Sequence, residues 1–510
     1  LAGFENRLTH RLSGGEKKLV SLATVLVMEP EALLLDEPTN GLDPEARQRI
    51  IGVLKTLPTA RIIISHDWDF LAETSSEYLT VEGQHFTRRR TLMPICMCIL
   101  SATNRTSTEK PFAQRCRTSG PRHENGGNMW NWFSPKGIVF GEGKAASTGL
   151  FARQWGRGRA LVITGPFLRR SGVVEPVLQS LREEGLLGAV FSDIPSEPTD
   201  RHVREALGLF RRERCGTIVA CGGGGPIDVA KAVSLLDANG GAVRDYAGVG
   251  RVPHPGVPII AIPTTAGSGS EVSGTTIITE EAAHEKLLVI SMYLVPEIAI
   301  LDPLLTYGMP PALTAATGVD ALTHAIESCV SRKATKLTID FSLRAAGRLA
   351  RFLPVAFASP DDAEARRECL LGSLEAGIAF TNSSVALVHG MARPLGAKFG
   401  IPHGVSNAVL LEAIMRFSLP GAQERYARLA EAMGVVPAGT PLETARAGLG
   451  IVSRLVRELH IPRLRDLLSR EALDAQLDAM VREAVASGSP ANNPRPASPE
   501  EIASLYGEAF

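Results

Sequence analysis

The sequence has no excess of charge of either sign: lysine plus arginine and aspartate plus glutamate both number 54 in 510 residues. That balance removes the chain-wide basic field by which nucleic-acid binders hold a phosphate backbone. A long apolar run is missing too. The longest candidate, Leu92 to Leu100, falls well short of the roughly 20 residues that cross a bilayer, and no secretory signal opens the chain. Seven cysteines, at 96, 98, 116, 215, 221, 329 and 369, show no zinc-type spacing, and Cys96-Met97-Cys98 is not a C-x-x-C. A reducing cytoplasm is the expected location. Also absent is Gly-x-x-x-x-Gly-Lys-Ser/Thr, the loop whose amides cradle nucleotide phosphates; the nearest string, Gly141-Glu142-Gly143-Lys144-Ala145, lacks both the spacing and the hydroxyl. The first residue is Leu rather than Met, so a fragment or processed product is expected. The length implies two to four domains, each able to bury a core.

Between Gly318 and Gly404 the chain carries Asp320 and His324 four residues apart in an apolar, helix-favouring context. That spacing stacks both side chains on one helix face. His389 and His403 follow in segments rich in glycine and proline, read here as turns, and could close the set. One carboxylate and three imidazoles suit a borderline divalent ion such as Fe(II) or Zn(II). A bare Asp-x-x-x-His on a helix is more often a surface pair, so the weight lies on the four residues together.

Upstream, Arg159–Thr164 reads as a buried strand, with helices at about 173–184 and 200–212 and a strand near Ala189–Phe191. The strand Thr217–Ala220 then runs into Gly222-Gly223-Gly224-Gly225 and a helix containing Asp228 and Lys231. Strand, glycine turn, helix is the arrangement that presents backbone N–H groups to a pyrophosphate. A second strand, Ile259–Pro263, leads into Thr264-Thr265-Ala266-Gly267-Ser268-Gly269-Ser270. After Asp302-Pro303 the strands stop and amphipathic helical runs continue to the end, which suits an all-α domain.

With these motifs in this order, the chain from about residue 129 to its end resembles the iron-dependent (group III) alcohol dehydrogenases. The resemblance implies that Asp320, His324, His389 and His403 are the metal ligands. It matches the family's Gly-Gly-Gly-Ser-x-x-Asp-x-x-Lys motif at Gly222, Gly223, Gly224, Gly225, Asp228 and Lys231, with Gly225 in the Ser position, and its second cofactor loop at Thr264, Thr265, Ser268 and Ser270. The implied reaction is hydride transfer between NAD or NADP and a small alcohol, aldehyde or ketone whose oxygen sits on Fe(II) or Zn(II). Asp320, His324 and Arg393 form the expected catalytic set. Arg393 stands where the family usually has a His near the metal; arginine stays protonated and cannot relay a proton, but it could attract an anion. An alternative within the family is therefore reduction of an anionic carbonyl of the maleylacetate type. NAD-preferring members often carry an Asp where this chain has Gly165, so the barrier to NADP is absent and Arg169 or Arg170 could favour it. A homo-oligomer, dimer or larger, is expected, with no nucleic-acid partner.

Residues 1–85 are different. Ser13-Gly14-Gly15-Glu16 precedes a helical run, Ala32–Leu35 reads as a buried strand ending in Asp36 and Glu37, and Ile62–Ile64 as another followed by Ser65 and His66. This order resembles the C-terminal half of an ABC-transporter ATPase of the cobalt or nickel uptake type. The resemblance makes Ser13, Gly14 and Gly15 part of the signature loop, Asp36 the magnesium residue, Glu37 the catalytic base and His66 the switch residue. Without a P-loop, ATP and Mg²⁺ enter only if this fragment works beside a vestigial ABC partner. Residues 86–128, basic and aperiodic, read as a disordered linker, and a misjoined reading frame is a live explanation for the pairing. The expected architecture is thus α/β: a partial ATPase fragment (1–85), the linker (86–128), a Rossmann-like NAD(P) domain (129–305) and an all-helical metal-binding domain (306–510).

Overall fold

The computed structural model describes residues 32–36, 44–56, 60–64, 74, 78–82, 85–89 and 131–510, the last without 195, 196 and 284. The chain divides into two units, 1–125 and 126–510.

In the first unit, β1 (Ala32–Asp36) pairs in parallel with β2 (Ala60–Ile64), joined through helix α1 (Pro44–Thr56). This is a β-α-β unit, as the alternating apolar runs require. Ile50, Ile51 and Leu54 form the buried stripe of α1. A hairpin pairs β3 (Tyr78–Glu82) with β4 (His85–Arg89), Val81 opposite Phe86. Arg88 and Arg89, read in the sequence as part of a linker, thus belong to a strand paired with β3, Arg88 opposite Leu79 and Arg89 opposite Tyr78. Asp36 ends β1; Ser13, Gly14, Gly15, Glu37 and His66 lie outside the described residues.

The second unit opens with β5 (Gly137–Phe140), α2 (Thr148–Trp155), β6 (Ala160–Ile163), α3 (Pro166–Ser171), α4 (Glu175–Glu183), β7 (Leu187–Phe191), α5 (Asp200–Arg212), β8 (Thr217–Gly222) and α6 (Gly224–Asn239). Then come β9 (Gly248–Val249), β10 (Ile259–Pro263), β11 (Thr275–Glu280), β12 (Glu285–Ile290) and β13 (Ile298–Leu301). Six strands form one parallel sheet in the order β5-β13-β10-β8-β6-β7. β6, β8, β10 and β13 are buried along their whole length, which is why their sequences are continuous apolar runs without alternation. Two separate cores cover the two faces, one with α5 and α6, the other with α2 and α4. The chain leaves β6 toward β7 on one side and continues from β8 to β10 on the other. This reversal makes the carboxyl ends of β6 and β8 the switch point where such sheets bind ligands. β11, β12 and β9 form a small second sheet.

The helical half comprises α7 (Pro311–Val330), α8 (Lys336–Ala358), α9 (Ala363–Thr381), α10 (Leu387–Phe399), α11 (His403–Ser418), α12 (Gln423–Ala432), α13 (Pro441–Glu458), α14 (Leu464–Leu467), α15 (Arg470–Ala486) and α16 (Pro499–Ala509). Its core is continuous with Ala299 and Leu301 of β13 and with Ala266 and Val272 beside β10. α7 is buried over nearly its whole circumference beyond Gly318. A Cβ at Gly318 would lie 2.2 Å from Leu353 Cδ1, so this glycine lets α8 approach. No described helix is long and apolar enough to cross a membrane.

The last helix is tied down by Tyr506, whose buried hydroxyl donates to the Met391 carbonyl at 2.7 Å. Tyr506→Phe keeps the packing and removes this bond. It should lower the unfolding free energy by about 1 kcal/mol, read as a shift of the urea midpoint without a change of slope.

Candidate active site and metal centre

α7 supplies Asp320, His324 and Glu327, at i, i+4 and i+7 on one face. All three are buried. α10 supplies His389 in its first turn and α11 begins at His403. Both histidines are therefore helical, where the sequence suggested turns. Gly390 and Gly404 serve helix packing instead: a Cβ at Gly390 would lie 2.8 Å from the Pro490 ring, and one at Gly404 only 2.3 Å from the Ala316 carbonyl oxygen, while Gly400, at φ +66°, ends α10 and Pro402 precedes α11.

The imidazole Nε2 atoms converge on Asp320 Oδ1: His389 at 3.4 Å, His403 at 3.8 Å and His324 at 4.0 Å. One ligand-type atom each from Asp320, His389 and His403 lies within 4.8 Å of the others. His324 stacks between Phe380, at 4.4 Å, and His389, at 4.5 Å. His389 Nδ1 lies 2.6 Å from Glu327 Oε2, whose other oxygen accepts the Val388 N–H at 2.6 Å. That carboxylate fixes the tautomer, leaving a lone pair on Nε2 facing inward. Asn407, one turn after His403, donates from Nδ2 to Asp320 Oδ1 at 2.6 Å and lies 3.2 Å from both His389 Nε2 and His403 Nε2.

Burial works against the Asp320 charge, but His324, His403 and the bond with His389 outweigh it and hold the carboxyl well below the usual carboxylate range. Burial pushes His324 down to about 4. His403 moves the same way, with the Lys286 charge adding to burial, although its side chain is still 32 % exposed. His389 moves up: burial opposes its charge, but the carboxylates of Glu327 and Asp320 prevail. A carboxylate and three imidazoles, their Nε2 atoms gathered at one point, form a donor set that fits Fe(II) or Zn(II).

Arg393 follows His389 by one turn on α10. Its guanidinium donates to Ser489 Oγ at 2.9 Å and its buried Nε has no hydrogen-bond partner. Lys286, from β12, pairs with Glu197 at 3.0 Å and faces His403 from the sheet side.

The two sequence-predicted cofactor loops meet at the switch point. Gly223 precedes α6, and a Cβ there would lie 3.3 Å from Thr265 Oγ1; a Cβ at Gly224 would lie 3.3 Å from Ser268. Thr264 N–H donates to the Gly222 carbonyl at 3.0 Å. Gly225 lies in the first turn of α6, at the positive end of its dipole. Gly267 abuts Thr317 of α7, and Gly269, at φ +61°, abuts Gly377 of α9, so this loop is wedged against the helical half.

Asp228 and Lys231 do not face open space. Lys231 Nζ, fully buried, donates to Ser270 Oγ, the Ser273 carbonyl and the Thr275 carbonyl at 3.1, 2.8 and 2.8 Å. Asp228 accepts from Ser270 Oγ at 2.8 Å and Ile277 N–H at 3.2 Å. They hold the segment that follows the second loop. Glu327, Asn407, Phe380 and Lys286 were not foreseen. Helical spacing could have offered Glu327 from Asp320 and Asn407 from His403; nothing local marks Lys286 or Phe380.

A parallel dinucleotide-type sheet, beside a helical half carrying a carboxylate and imidazole cluster, defines a two-part oxidoreductase. Residues 135–303 match the family model described as iron-containing alcohol dehydrogenase, and 314–510 that of its C-terminal region. The chain belongs to the iron-containing alcohol dehydrogenase family. Residues 1–40 match the ABC transporter model. The 1,3-propanediol dehydrogenase of Klebsiella pneumoniae is 37% identical over 386 residues, 75% of this chain and 99% of that protein. The NAD-dependent methanol dehydrogenase of Bacillus methanolicus is 36% identical over 385 residues, 75% of this chain and 100% of that one. The lactaldehyde reductase of Escherichia coli K12 is 38% identical over 376, 73% and 97%. Among solved structures, a 1,3-propanediol oxidoreductase aligns with TM-score 0.73 at 37% identity over 75% of this chain and all of that one. A sulfoacetaldehyde reductase from Bifidobacterium kashiwanohense in complex with NAD+ aligns with 0.68 at 30% identity, over 75% and 99%.

His324 links the cluster to acidity. Its neutral ring is tied to the folded state: unfolded imidazole titrates near 6.5, folded His324 near 4. Between these values the unfolded chain binds more protons, so stability falls as pH falls. The chelator-treated protein should melt at a lower temperature at pH 5 than at pH 7, and His324→Gln should flatten that dependence; equal slopes would remove His324 as the cause.

Proposed function

We propose that the chain is an NAD(P)-linked alcohol dehydrogenase or aldehyde and ketone reductase of small substrates. The observation that carries this is the convergence of three Nε2 atoms on the Asp320 carboxylate. Asp320, His324, His389 and His403 would hold Fe(II) or Zn(II), which would supply a Lewis acid for the substrate oxygen, and a bound nicotinamide would supply hydride chemistry.

The remaining work falls to the chain itself. Glu327 orients His389 toward the cluster. The Gly222–Gly225 turn offers the N-terminus of α6 to the pyrophosphate. Lys231 and Asp228, by fixing Ser270 and the segment behind it, set the shape of the Thr264–Ser270 loop before cofactor arrives. At the end of β6, beside the glycine turn, Gly165 offers no carboxylate to a ribose or to repel a 2′-phosphate, and exposed Arg170 stands in the helix that follows. Both NAD and NADP are therefore accepted in this reading.

A second reading concerns the substrate. Arg393 is a part-buried cation whose buried Nε has no hydrogen-bond partner and whose charge is countered only partly by Glu327. A carbonyl substrate bearing a carboxylate or sulfonate would supply a countercharge. The acidic substrate in the name of the Bifidobacterium relative is in keeping with it.

Purified protein supplied with Fe(II) or Zn(II) should oxidise propanediol or butanol, or reduce short aldehydes, and Asp320→Ala should abolish turnover and metal retention together. Metal-independent turnover would overturn the proposal. A preference for NAD above about a hundredfold in kcat/KM, roughly 2.7 kcal/mol, would refute dual cofactor use. Arg393→His should lower kcat/KM for anionic carbonyls at least about tenfold (~1.4 kcal/mol) relative to neutral ones; an unchanged ratio would remove the anionic reading.

A further inference from the structure

Asn407 is fully buried in α11, although a helix interior offers an asparagine amide little. Its neighbours explain its place. Nδ2 lies 2.6 Å from Asp320 Oδ1 and 3.2 Å from both His389 Nε2 and His403 Nε2. The ionised carboxylate accepts only, so the amide must turn its nitrogen, not its oxygen, toward the cluster. Oδ1 then points away and has no hydrogen-bond partner. The amide has two protons for three acceptor atoms, so it does not satisfy the cluster. It holds the cluster's atoms in register and leaves lone pairs over.

We propose that Asn407 is a positioning residue of the metal centre: its amide N–H fixes the Asp320 carboxylate so that Oδ1 and the imidazoles of His389 and His403 are assembled before an ion arrives. The inference rests on the reading of this cluster as a metal site. The contact between Asn407 and Asp320 joins α11 to α7, while Glu327 joins α7 to α10 through His389. Together the two polar bonds link three helices around one point. Glu327 sets the direction of one imidazole, and Asn407 sets the carboxylate. A cation entering the centre can share the carboxylate oxygen with the amide, because that oxygen has lone pairs for both; the imidazole nitrogens have one each and pass from the amide to the ion.

The simple alternative is that the amide competes with the ion for the same lone pairs. The two roles give opposite signs. If Asn407 positions, its loss weakens binding; outer-shell partners of metal ligands typically carry about 10–100-fold in affinity. If it competes, its loss tightens binding.

The test is equilibrium binding of Zn(II) and Co(II), by competition with a chromogenic chelator, to the chelator-stripped full chain, its Asn407→Leu variant of similar volume, and Asn407→Ser. Both variants should bind Zn(II) about 10–100-fold more weakly, and the Co(II) visible spectrum should change shape. NADH binding, followed by fluorescence, should be retained, which separates a local effect from loss of fold. Affinity within twofold of the parent, or tighter, in a variant that still binds NADH would overturn the proposal. Failure of the parent itself to bind either ion would sink the metal reading instead, so the two failures are distinct. Should both variants fail to fold, crystals of the unaltered protein with and without Zn(II) decide: the amide nitrogen should stay within hydrogen-bond reach of Asp320 Oδ1 in both, and an amide swung away in the zinc form would refute the role.

Discussion

A single buried carboxylate constrains the second unit. Asp320 is 4 % exposed, in the middle of a helix with almost no solvent-facing side. An ionised group there carries a desolvation cost of several kcal/mol unless it is surrounded by donors or cations. Three imidazoles and an amide, brought from three helices, supply those partners. The close approach at Gly404 serves the same end, since it brings the start of α11 against the Ala316 backbone of α7.

The same economy of space governs the cofactor side. The glycine turn after β8 and the threonine-rich loop after β10 lie against each other, and the loop in turn presses on α7 and α9 through Gly267 and Gly269. Lys231, with no solvent exposure, spends its hydrogen bonds on backbone and hydroxyl groups of residues 270–275. Burial pushes it down to about 8 and lifts neighbouring Glu271 to about 7.

Much of this was legible in the chain. Continuous apolar runs ending in glycine or threonine marked β8 and β10, and the four-residue spacing of Asp320 and His324 gave one helix face its chemistry. What misled was the local meaning of glycine and proline. Around His389 and His403 they read as turn formers, but Gly390, Gly396 and Gly404 thin the helices where other backbone passes, and Pro394 sits inside α10. Propensity cannot report such contacts, because the neighbours are distant in sequence: Pro490 for Gly390, Ala316 for Gly404. Asn407 and Glu327 stayed silent for a related reason. Their importance lies in what they bind across helices. Lys286 comes from a small sheet with no motif of its own.

The four residues of the cluster all belong to α7, α10 and α11, and the sheet contributes none. The cluster is therefore drawn entirely from the helical layer. On the proposed reading, loading with an ion and turnover of a dinucleotide would be separable events, since the groups that would hold the one come from helices and the loops that would hold the other follow β8 and β10.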